Sequence, residues 1–334
     1  MSQAQFVNLN AAADALVNGG IIVPEFQKEI TDIVRRSGVL QNRIQMVPAT
    51  GSPSRFFEQT AIGAATFSAG GGSLGGTITP VASSPTRVEK SLQIKGITNQ
   101  INYSLFDLET VAQQNVFAEL KAKDMRDMVA GMMLLHGQGL WTGTDTVVGN
   151  QVGNSGTQYV GIVNQITTTT TVASGSSIID AIRTQAANLA ASTQYNLLGK
   201  KYSLYINPLA LDALEKEAKN TATMMRFMES ATQEVGVGIT VDSIRTALGA
   251  LPIIPEPFLG KNSFGAAAPV NQNNYPFAIV CEDLIEYHYI GSKEPRVFQL
   301  GTLANLNESY VGILFGAPVV KAASYAHVLG NIQF

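Results

Sequence analysis

The sequence has 334 residues, of which 45% are hydrophobic and only 14% carry charge, and its formal net charge is −3. About one quarter of the residues in typical soluble proteins are charged. Because this chain has fewer, burying its surface against a neighbouring molecule costs less desolvation free energy, and the composition favours assembly. The sequence shows no basic stripe of the kind that binds DNA tightly, and its single cysteine, Cys281, excludes an internal disulfide and a Cys-rich metal site.

The N-terminal segment lacks the basic and apolar regions of a signal peptide. No apolar run reaches the ~20 residues that span a bilayer, so no membrane segment is predicted. A short helix is predicted over 24–36, with Pro24 near its start and Gly38 just past its end. The remainder of the first fifty residues is typical of an extended arm.

A β-hairpin is predicted next. Residues 55–59 favour one strand, and 86–95 favour its partner, because Val88, Leu92 and Ile94 fall on one face of that second segment. Between the strands lies a glycine-rich, nearly uncharged connection of more than ~20 residues, which is unusually long for a compact domain. We expect a hairpin arm that projects from the body.

The connection contains the stretch FSAGGGSLGGTITP, residues 67–80, which satisfies both G-x-G-x-x-G and G-x-S-x-G. Either motif needs a strand before it and a helix after it, yet Thr-Ile-Thr-Pro follows, which is a poor helix start. An α/β enzyme that uses residues 70–76, with Ser73 as nucleophile, is kept as an alternative hypothesis.

The clearest element is a long helix. Ser104-Leu105-Phe106-Asp107 has the pattern of a capping box. Apolar residues then recur every four positions at Leu108, Ala112, Val116 and Leu120. The pattern predicts a helix over 105–136, about 48 Å long at 1.5 Å per residue, ended by Gly137 and Gly139.

The middle and end of the chain mix both kinds of element, which predicts an α+β fold. Asn207-Pro208 supplies an N-cap and a proline at the first helical position. The predicted helices are 177–192 and 209–218, and the predicted strands are 202–206, 235–239, 251–257, 275–281, 285–289 and the region to 321.

No constellation of residues predicts a reaction. The three histidines are scattered, and His136 is placed at a helix end, where its charge would favour the helix dipole. His288 is predicted on one face of a strand. Glu282, Asp283 and Glu286 lack the spacing of a calcium loop and are interpreted as solvated charges at a strand end. We therefore predict no catalytic, cofactor-binding or metal-binding residue.

The order of these elements resembles the major capsid proteins of tailed bacteriophages, which have the Johnson fold (Hong Kong 97-like). Three short segments of the sequence resemble the family as well: MLLHGQG at 133–139, YVGIV at 159–163 and YINPLALDAL at 205–214. The resemblance covers nearly the whole chain. The domains it implies are an N-terminal arm (1–47), an extended loop or E-loop (48–97), a peripheral domain (98–160 and 282–334) with its spine helix (105–136), and an axial domain (161–281).

The resemblance also implies a function, which is the structural one of forming hexamers and pentamers in an icosahedral shell around double-stranded DNA. Its implied partners are other copies of itself, a separate scaffolding protein and a portal, with a decoration protein as a further candidate and DNA contacted only weakly. Some members cross-link an E-loop lysine to a neighbour's asparagine, but 57–89 contains no lysine. The implied location is the virion, with assembly in the host cytoplasm and no cofactor.

Contacts between subunits are expected at the tip of the E-loop. The residues predicted to make them are Phe67, Gly70, Gly71, Gly72, Leu74, Gly75 and Gly76. Another phage structural protein, such as a decoration or tail component, is kept as a second alternative.

Overall fold

A computed structural model of the chain describes residues 38–65, 67, 82–106, 109, 120–192, 197–218, 242–260, 274–302 and 307–333. The predicted helix at 24–36, the strand at 235–239 and Asp107 of the capping box lie outside these residues. Helical backbone is present at 105–106, where the long helix is predicted to start.

The described chain combines a few helices with runs of mostly antiparallel strands, which confirms the α+β class. The helices are α1 (Leu120–Thr142), α2 (Ile162–Gln165), α3 (Ile178–Ala190) and α4 (Pro208–Ala218). The strands are β1 (Gln45–Pro48), β2 (Ser54–Ala61), β3 (Thr86–Leu92), β4 (Lys95–Ser104), β5 (Val147–Val148), β6 (Gln151–Val152), β7 (Thr169–Val172), β8 (Tyr202–Ile206), β9 (Ser243–Thr246), β10 (Gly249–Pro255), β11 (Asn274–Cys281), β12 (Ile285–Tyr289), β13 (Arg296–Thr302), β14 (Asn307–Val320) and β15 (Val328–Gln333).

One sheet has six strands in the order β7-β15-β11-β8-β10-β9. Every residue of β8 is buried, as expected for a strand that is covered on both faces. Helices α3 and α4 contribute Ile182 and Leu214 to a core that also contains Phe277 of β11. Each such side chain stabilises the fold by about 1.5–3 kcal/mol when it is fully buried.

The starts of α3 and α4 follow the local signals in the sequence. The Ser177 hydroxyl accepts a hydrogen bond from the Asp180 backbone N–H at 3.1 Å, and Asn207 Oδ1 accepts one from the Leu209 N–H at 2.9 Å. These bonds satisfy N–H groups that have no partner within the helix. The predicted cap at Asn207 is therefore confirmed, and Ser177 provides a second cap that was not predicted.

A second sheet has the order β1-β12-β14-β13, and β4 pairs with the other edge of β14. Helix α1 packs against β4 and β14. At Gly312 of β14, the Cβ of an alanine would lie 2.6 Å from Met132 Sδ and 3.3 Å from Met128 Cε. The glycine therefore lets the helix lie close against the strand.

Helix α1 ends later than predicted. It continues through Gly137 and Gly139 to Thr142, so the predicted end at residue 136 is wrong. A Cβ at Gly137 would lie 2.8 Å from the Phe258 ring, and one at Gly139 would lie 3.0 Å from Tyr159 Cδ2. These glycines make room for aromatic rings rather than end the helix.

A third sheet contains the predicted hairpin, in the order β2-β3-β6-β5. Strands β2 and β3 pair antiparallel, with Ser54 opposite Leu92 and Glu58 opposite Val88. The single strand predicted over 86–95 is wrong at its end. Leu92 is buried in the core, and Lys95 starts β4, which belongs to the second sheet, so the chain crosses between sheets at 93–94.

The last strand belongs to the six-stranded sheet. Strand β15 pairs antiparallel with β11 and parallel with β7, so this sheet joins segments that are far apart in the chain. The predicted domain boundaries, including a peripheral domain that contains 282–334, stay predictions.

Residues 38–47 of the predicted arm are bound to the body of the subunit. Leu40 and Ile44 are buried in the core, and β1 pairs parallel with β12. Residues 1–37 lie outside the described part of the chain. The arm prediction is therefore untested over that range.

Candidate assembly hairpin and its root

The hairpin formed by β2 and β3 has two different faces. Along β2, Ser54, Phe56 and Glu58 are half-buried, and the residues that alternate with them are exposed. The outer face carries Phe57, which is 72% exposed, and Glu89, which pairs with Arg55. One face therefore contacts the hairpin's own subunit, and the other faces outward.

Exposed apolar side chains continue toward the tip. Ile62 is 76% exposed, and Phe67 is fully exposed. Of the predicted contact residues, Phe67 is described, whereas Gly70, Gly71, Gly72, Leu74, Gly75 and Gly76 lie outside the described residues, as does Ser73. Exposure of Phe67 in an isolated subunit agrees with a contact role, and the contact itself stays a prediction.

The inner face binds a turn that follows β14. The Glu58 carboxylate accepts a hydrogen bond from the Ala322 backbone N–H and pairs with the Lys90 ammonium group. Ala322 has a φ of +53°, a left-handed conformation that is unfavourable for a residue with a Cβ. Glu58 therefore holds a turn whose backbone is costly to form.

A chain of polar contacts lies at the root of the hairpin. Ser54 Oγ lies 3.0 Å from His288 Nδ1, and His288 Nε2 lies 3.0 Å from Glu286 Oε2. The other oxygen of Glu286 pairs with Lys321. Burial acts to raise the pKa of Glu286, but the hydrogen bonds from Lys321 and His288 outweigh it and hold that pKa below its usual value.

A serine that contacts a histidine, which in turn contacts a carboxylate, is the arrangement used in nucleophilic catalysis. The surroundings of Ser54 nevertheless favour a structural role. Lys321 neutralises Glu286, which weakens the carboxylate's support of an imidazolium. Ser54 lies on the face that is pressed against the body, and the open groove beside the hairpin is lined by Pro53, Arg55 and other residues rather than by Ser54. These contacts position the hairpin.

Glu282 is a second buried carboxylate that joins distant segments. It accepts hydrogen bonds from Arg43 Nε at 2.6 Å, Ser203 Oγ at 2.7 Å and the Tyr205 hydroxyl at 2.8 Å, and Lys201 pairs with it at 2.5 Å. Burial acts to raise its pKa, but these partners lower it. The prediction of solvated charges is therefore wrong for Glu282 and Glu286, because folding brings cations to both.

Glu256 anchors the start of the described chain. It is fully buried, and its carboxylate accepts hydrogen bonds from the backbone N–H groups of Val39 at 3.1 Å and Phe258 at 3.4 Å. Burial raises its pKa despite these bonds. Together with the bond from Arg43 to Glu282, this contact holds residues 38–44 against the body of the subunit.

Besides His288, two histidines are buried inside the subunit. His136 packs edge-on against Tyr287, and burial lowers its pKa to about 4, so the predicted charged role at a helix end is wrong. His327 Nδ1 accepts a hydrogen bond from the Cys281 N–H at 3.2 Å, while Nε2 donates to the Lys321 carbonyl at 3.1 Å. Only the neutral ring makes both bonds, and burial lowers the pKa of His327 to about 4.

We expect the subunit to lose stability between pH 6.5 and pH 4. The native pKa values of about 4 lie below the usual 6.5, so the unfolded chain binds more protons in this range. The free energy of unfolding has its full value above pH 6.5, and it falls by up to about 3 kcal/mol per histidine as the pH approaches 4. Urea unfolding of the dissociated chain at pH 7.5, 6 and 5 measures this loss.

His327→Gln is the control for this acid effect. It is expected to lower the free energy of unfolding at pH 7.5 and to make its decline with acid shallower, by at most about 1.4 kcal/mol per pH unit. Equal pH slopes for the unaltered chain and the variant would contradict the assignment to His327.

A half-open cavity of about 420 Å³ lies beside α1 and is lined largely by threonine and glutamine side chains. Its lining includes Lys95, whose Nζ lies 3.0 Å from Asp145 Oδ2. Burial acts to raise the pKa of Asp145, but hydrogen bonds from Lys95 and from backbone N–H groups lower it. The two charges thus form a structural ion pair.

Within the described ranges, no group of three or more His, Cys, Asp and Glu side chains is arranged to hold a metal ion. Among the described helices, none is long and apolar enough to cross a membrane. Cys281 is buried, as expected.

The fold of the chain is similar to that of solved phage capsids. It aligns with the capsid of Myoviridae phage XM1 (TM-score 0.61, 12% identity) over 94% of this chain and 99% of that chain. It aligns with the capsid of cyanophage P-SCSP1u (TM-score 0.61, 11% identity) over 93% of each chain, and with that of a native GTA particle (TM-score 0.58, 13% identity) over 96% of this chain and 98% of that chain. The Hong Kong 97-like fold expected from the sequence is confirmed. No family model and no curated protein matches the sequence.

Some residues of this region could have been found from the sequence, and others could not. The alternation of apolar and polar residues in 86–92 predicts which side chains lie on each face of the hairpin. The roles of Glu58, Ala322 and Glu256 depend on contacts between segments far apart in the chain. The sequence offers one signal for Glu58, which is a charged residue at a strand position whose side chain faces inward.

Proposed function

We propose that this chain is the major capsid protein of a tailed bacteriophage and assembles as hexamers and pentamers into an icosahedral shell around double-stranded DNA. The observation that carries the proposal is the fold likeness to phage and GTA capsids, which extends over 93–96% of the chain. A likeness over nearly the whole length of both chains favours a shared role for the whole subunit rather than for one borrowed domain.

The outer face of the hairpin supports the proposal. Phe57, Ile62 and Phe67 are large apolar side chains that the isolated subunit leaves in water. Burying each against a neighbour would contribute about 1.5–3 kcal/mol, and a shell repeats the contact in every subunit. Many modest interfaces then act together as one strong assembly.

The predicted contacts at the tip belong to this proposal. Glycine adopts backbone conformations that other residues avoid, so a tip rich in glycine can fit lattice positions that differ slightly in shape. Phe67, Leu74 and the five glycines at 70, 71, 72, 75 and 76 would lie on a neighbouring subunit. The predicted axial domain, 161–281, would meet its copies at the centres of hexamers and pentamers.

The partners follow from the same role. Other copies of the chain are the main partner, with a separate scaffolding protein, a portal and a decoration protein as further candidates. The net charge of −3 suits a wall that encloses DNA without binding it tightly. The role is structural rather than enzymatic, and the protein would belong to the virion after assembly in the host cytoplasm.

Expression of the chain, followed by negative-stain microscopy and light scattering, tests the function. Closed shells of uniform size, or isolated hexamers and pentamers, are the expected result. Tubes or trimers would instead support a tail or decoration protein. A monomer whose activity is lost in a Ser73→Ala variant would support the enzyme hypothesis.

A further inference from the structure

The half-open cavity of about 420 Å³ has two walls of different kinds. One wall is the run of four successive β4 residues 95–98. Successive side chains of a strand point to opposite faces, so a cavity lined by four of them runs along the strand's edge. The other wall is one face of α1, with the helical spacing i, i+3, i+4 and i+7, and consists of Leu135, Gln138, Gly139 and Thr142. The cavity is therefore a slot between a strand edge and a helix face.

The edge of β4 that borders this slot is open. Strand β14 pairs with β4 from residue 95 to residue 104, and it is the one described strand that does so. The backbone N–H and C=O groups of a strand point to both of its edges, so about half of those in β4 point away from β14. Among the described residues, no backbone bond from outside the sheet reaches 95–104. An open edge of this kind is a template for one more strand.

The slot favours an uncharged occupant. Lys95 is the one charged residue that lines it, and Lys95 Nζ lies 3.0 Å from Asp145 Oδ2, so the charge is already paired. A further charge placed there would lose water without gaining a partner. At the mouth, Leu135 is 50% exposed and offers an apolar contact. The four residues of β4 span about 13 Å at ~3.3 Å per residue, which is the length of a short extended segment.

The N-terminal residues of the chain meet these requirements. The described chain begins at Gly38, where a Cβ would lie 3.6 Å from the Cα of Gly137 in α1, the residue before Gln138 of the slot. The side chains of residues 1–13 carry no charge. Residues 14–37 could span up to about 80 Å, whereas a helix is only about 10–12 Å wide. Residues 1–13 can therefore reach the slot of their own subunit.

The sequence of this segment also suits a strand with two different faces. In an extended backbone, Val7 and Leu9 share one face, and Asn8 and Asn10 share the other. The first pair can cover an apolar side chain, and the second can remain in water. A strand added to an edge needs this combination, because one of its faces meets the protein.

We propose that residues 5–10 bind as an added strand along the open edge of β4, in the slot of their own subunit. Their backbone bonds to the groups of β4 that point away from β14. Val7 and Leu9 lie against Leu135 of α1, and Asn8 and Asn10 face outward. This binding takes place within one subunit and does not depend on shell formation.

Amide hydrogen exchange, followed by mass spectrometry, tests the added strand. The full chain is compared with a chain that lacks residues 1–13, both dissociated at pH 7.5. Exchange in segments that cover 95–98 is expected to be faster by about tenfold or more in the shortened chain, because opening of this edge no longer requires release of a strand. Exchange in β8 and β11 is expected to be equal in both chains, and circular dichroism reports whether the shortened chain is folded.

A fluorescent peptide of residues 3–12 tests the slot directly, with fluorescence polarisation as the readout. It is expected to bind the shortened chain at least about tenfold more tightly than the full chain, whose own segment competes for the slot. Gln138→Glu in the shortened chain places a charge on the exposed helix wall of the slot, and it is expected to weaken peptide binding by about tenfold or more. Asn188→Asp is the matched control, because it makes the same amide-to-acid change on the exposed side of α3 and should leave binding unchanged.

Equal exchange at 95–98 in the full and shortened chains would overturn the proposal, as would equal peptide binding by Gln138→Glu and Asn188→Asp. Protection of 95–98 that appears only as the full chain is concentrated would overturn it too, because the segment would then bind a neighbouring copy. Microscopy reports shell formation separately. A chain that forms shells with an unprotected β4 edge would retain the proposed function and lose the added strand.

Discussion

A subunit that carries both Phe57→Ser and Phe67→Ser is expected to fold normally but to form no shells at the concentrations at which the unaltered chain assembles. Both side chains are exposed in the subunit, so their loss removes little from the subunit's own core. If neighbours bury them, each substitution costs the interface about 1.5–3 kcal/mol. The concentration at which assembly begins should then rise about a hundredfold or more.

Sedimentation and negative-stain microscopy measure shell formation, and circular dichroism with a thermal scan reports the fold of the subunit. Gln59→Ser is the control, because it alters a polar position on the same exposed face of β2. Normal shells from the double variant would contradict a role of the outer face in assembly. Loss of the subunit fold would show that the two rings stabilise the subunit itself.

The sequence was sufficient where local physics decides the structure. The strand at 202–206 was predictable from its own residues. The Asn207 cap was predictable because the cap residue and the N–H group that it binds are two residues apart. The alternation of β3 predicted the hairpin because each apolar side chain needs the same buried face. The expectation of a Hong Kong 97-like fold came from the resemblance of the order of such elements to that family.

Sequence reasoning failed where contacts between distant segments decide the structure. Gly137 looks like a helix end in the sequence, but the space that a side chain would need there is occupied by the Phe258 ring, 121 residues away in the chain. Glu282 was predicted to be solvated, and it is buried because Arg43 and Lys201 reach it. The tip residues that would contact a neighbour await a structure that contains that neighbour.

A second consequence of such distant packing is that Gly330→Ala is expected to destabilise the subunit severely. Gly330 pairs with Phe277 across β15 and β11, and a Cβ at this position would lie 2.0 Å from two atoms of the Phe277 ring. Carbon atoms pack at about 3.5–4.0 Å, and the ring is fully buried among close-packed neighbours. The ring must move, at a cost of about 3 kcal/mol or more.

Urea and thermal unfolding measure this cost, and about 3 kcal/mol should lower the melting temperature of a 334-residue chain by roughly 4 °C. Gly51→Ala is the matched control: a Cβ there meets nothing within 4 Å, so its effect should stay within about 0.5 kcal/mol. A loss in Gly330→Ala as small as that of the control would contradict the clash.

The cause of the Gly330→Ala effect can be isolated with a smaller partner. Phe277→Leu alone leaves a cavity and destabilises the core, but it also removes the ring atoms that the new Cβ would meet. Gly330→Ala should therefore cost less in the Phe277→Leu background than in the unaltered chain, with a coupling free energy of about 1–3 kcal/mol. If the two substitutions add independently, the ring is not what excludes a side chain at 330, and the contact between β15 and β11 must be limited by the backbone instead.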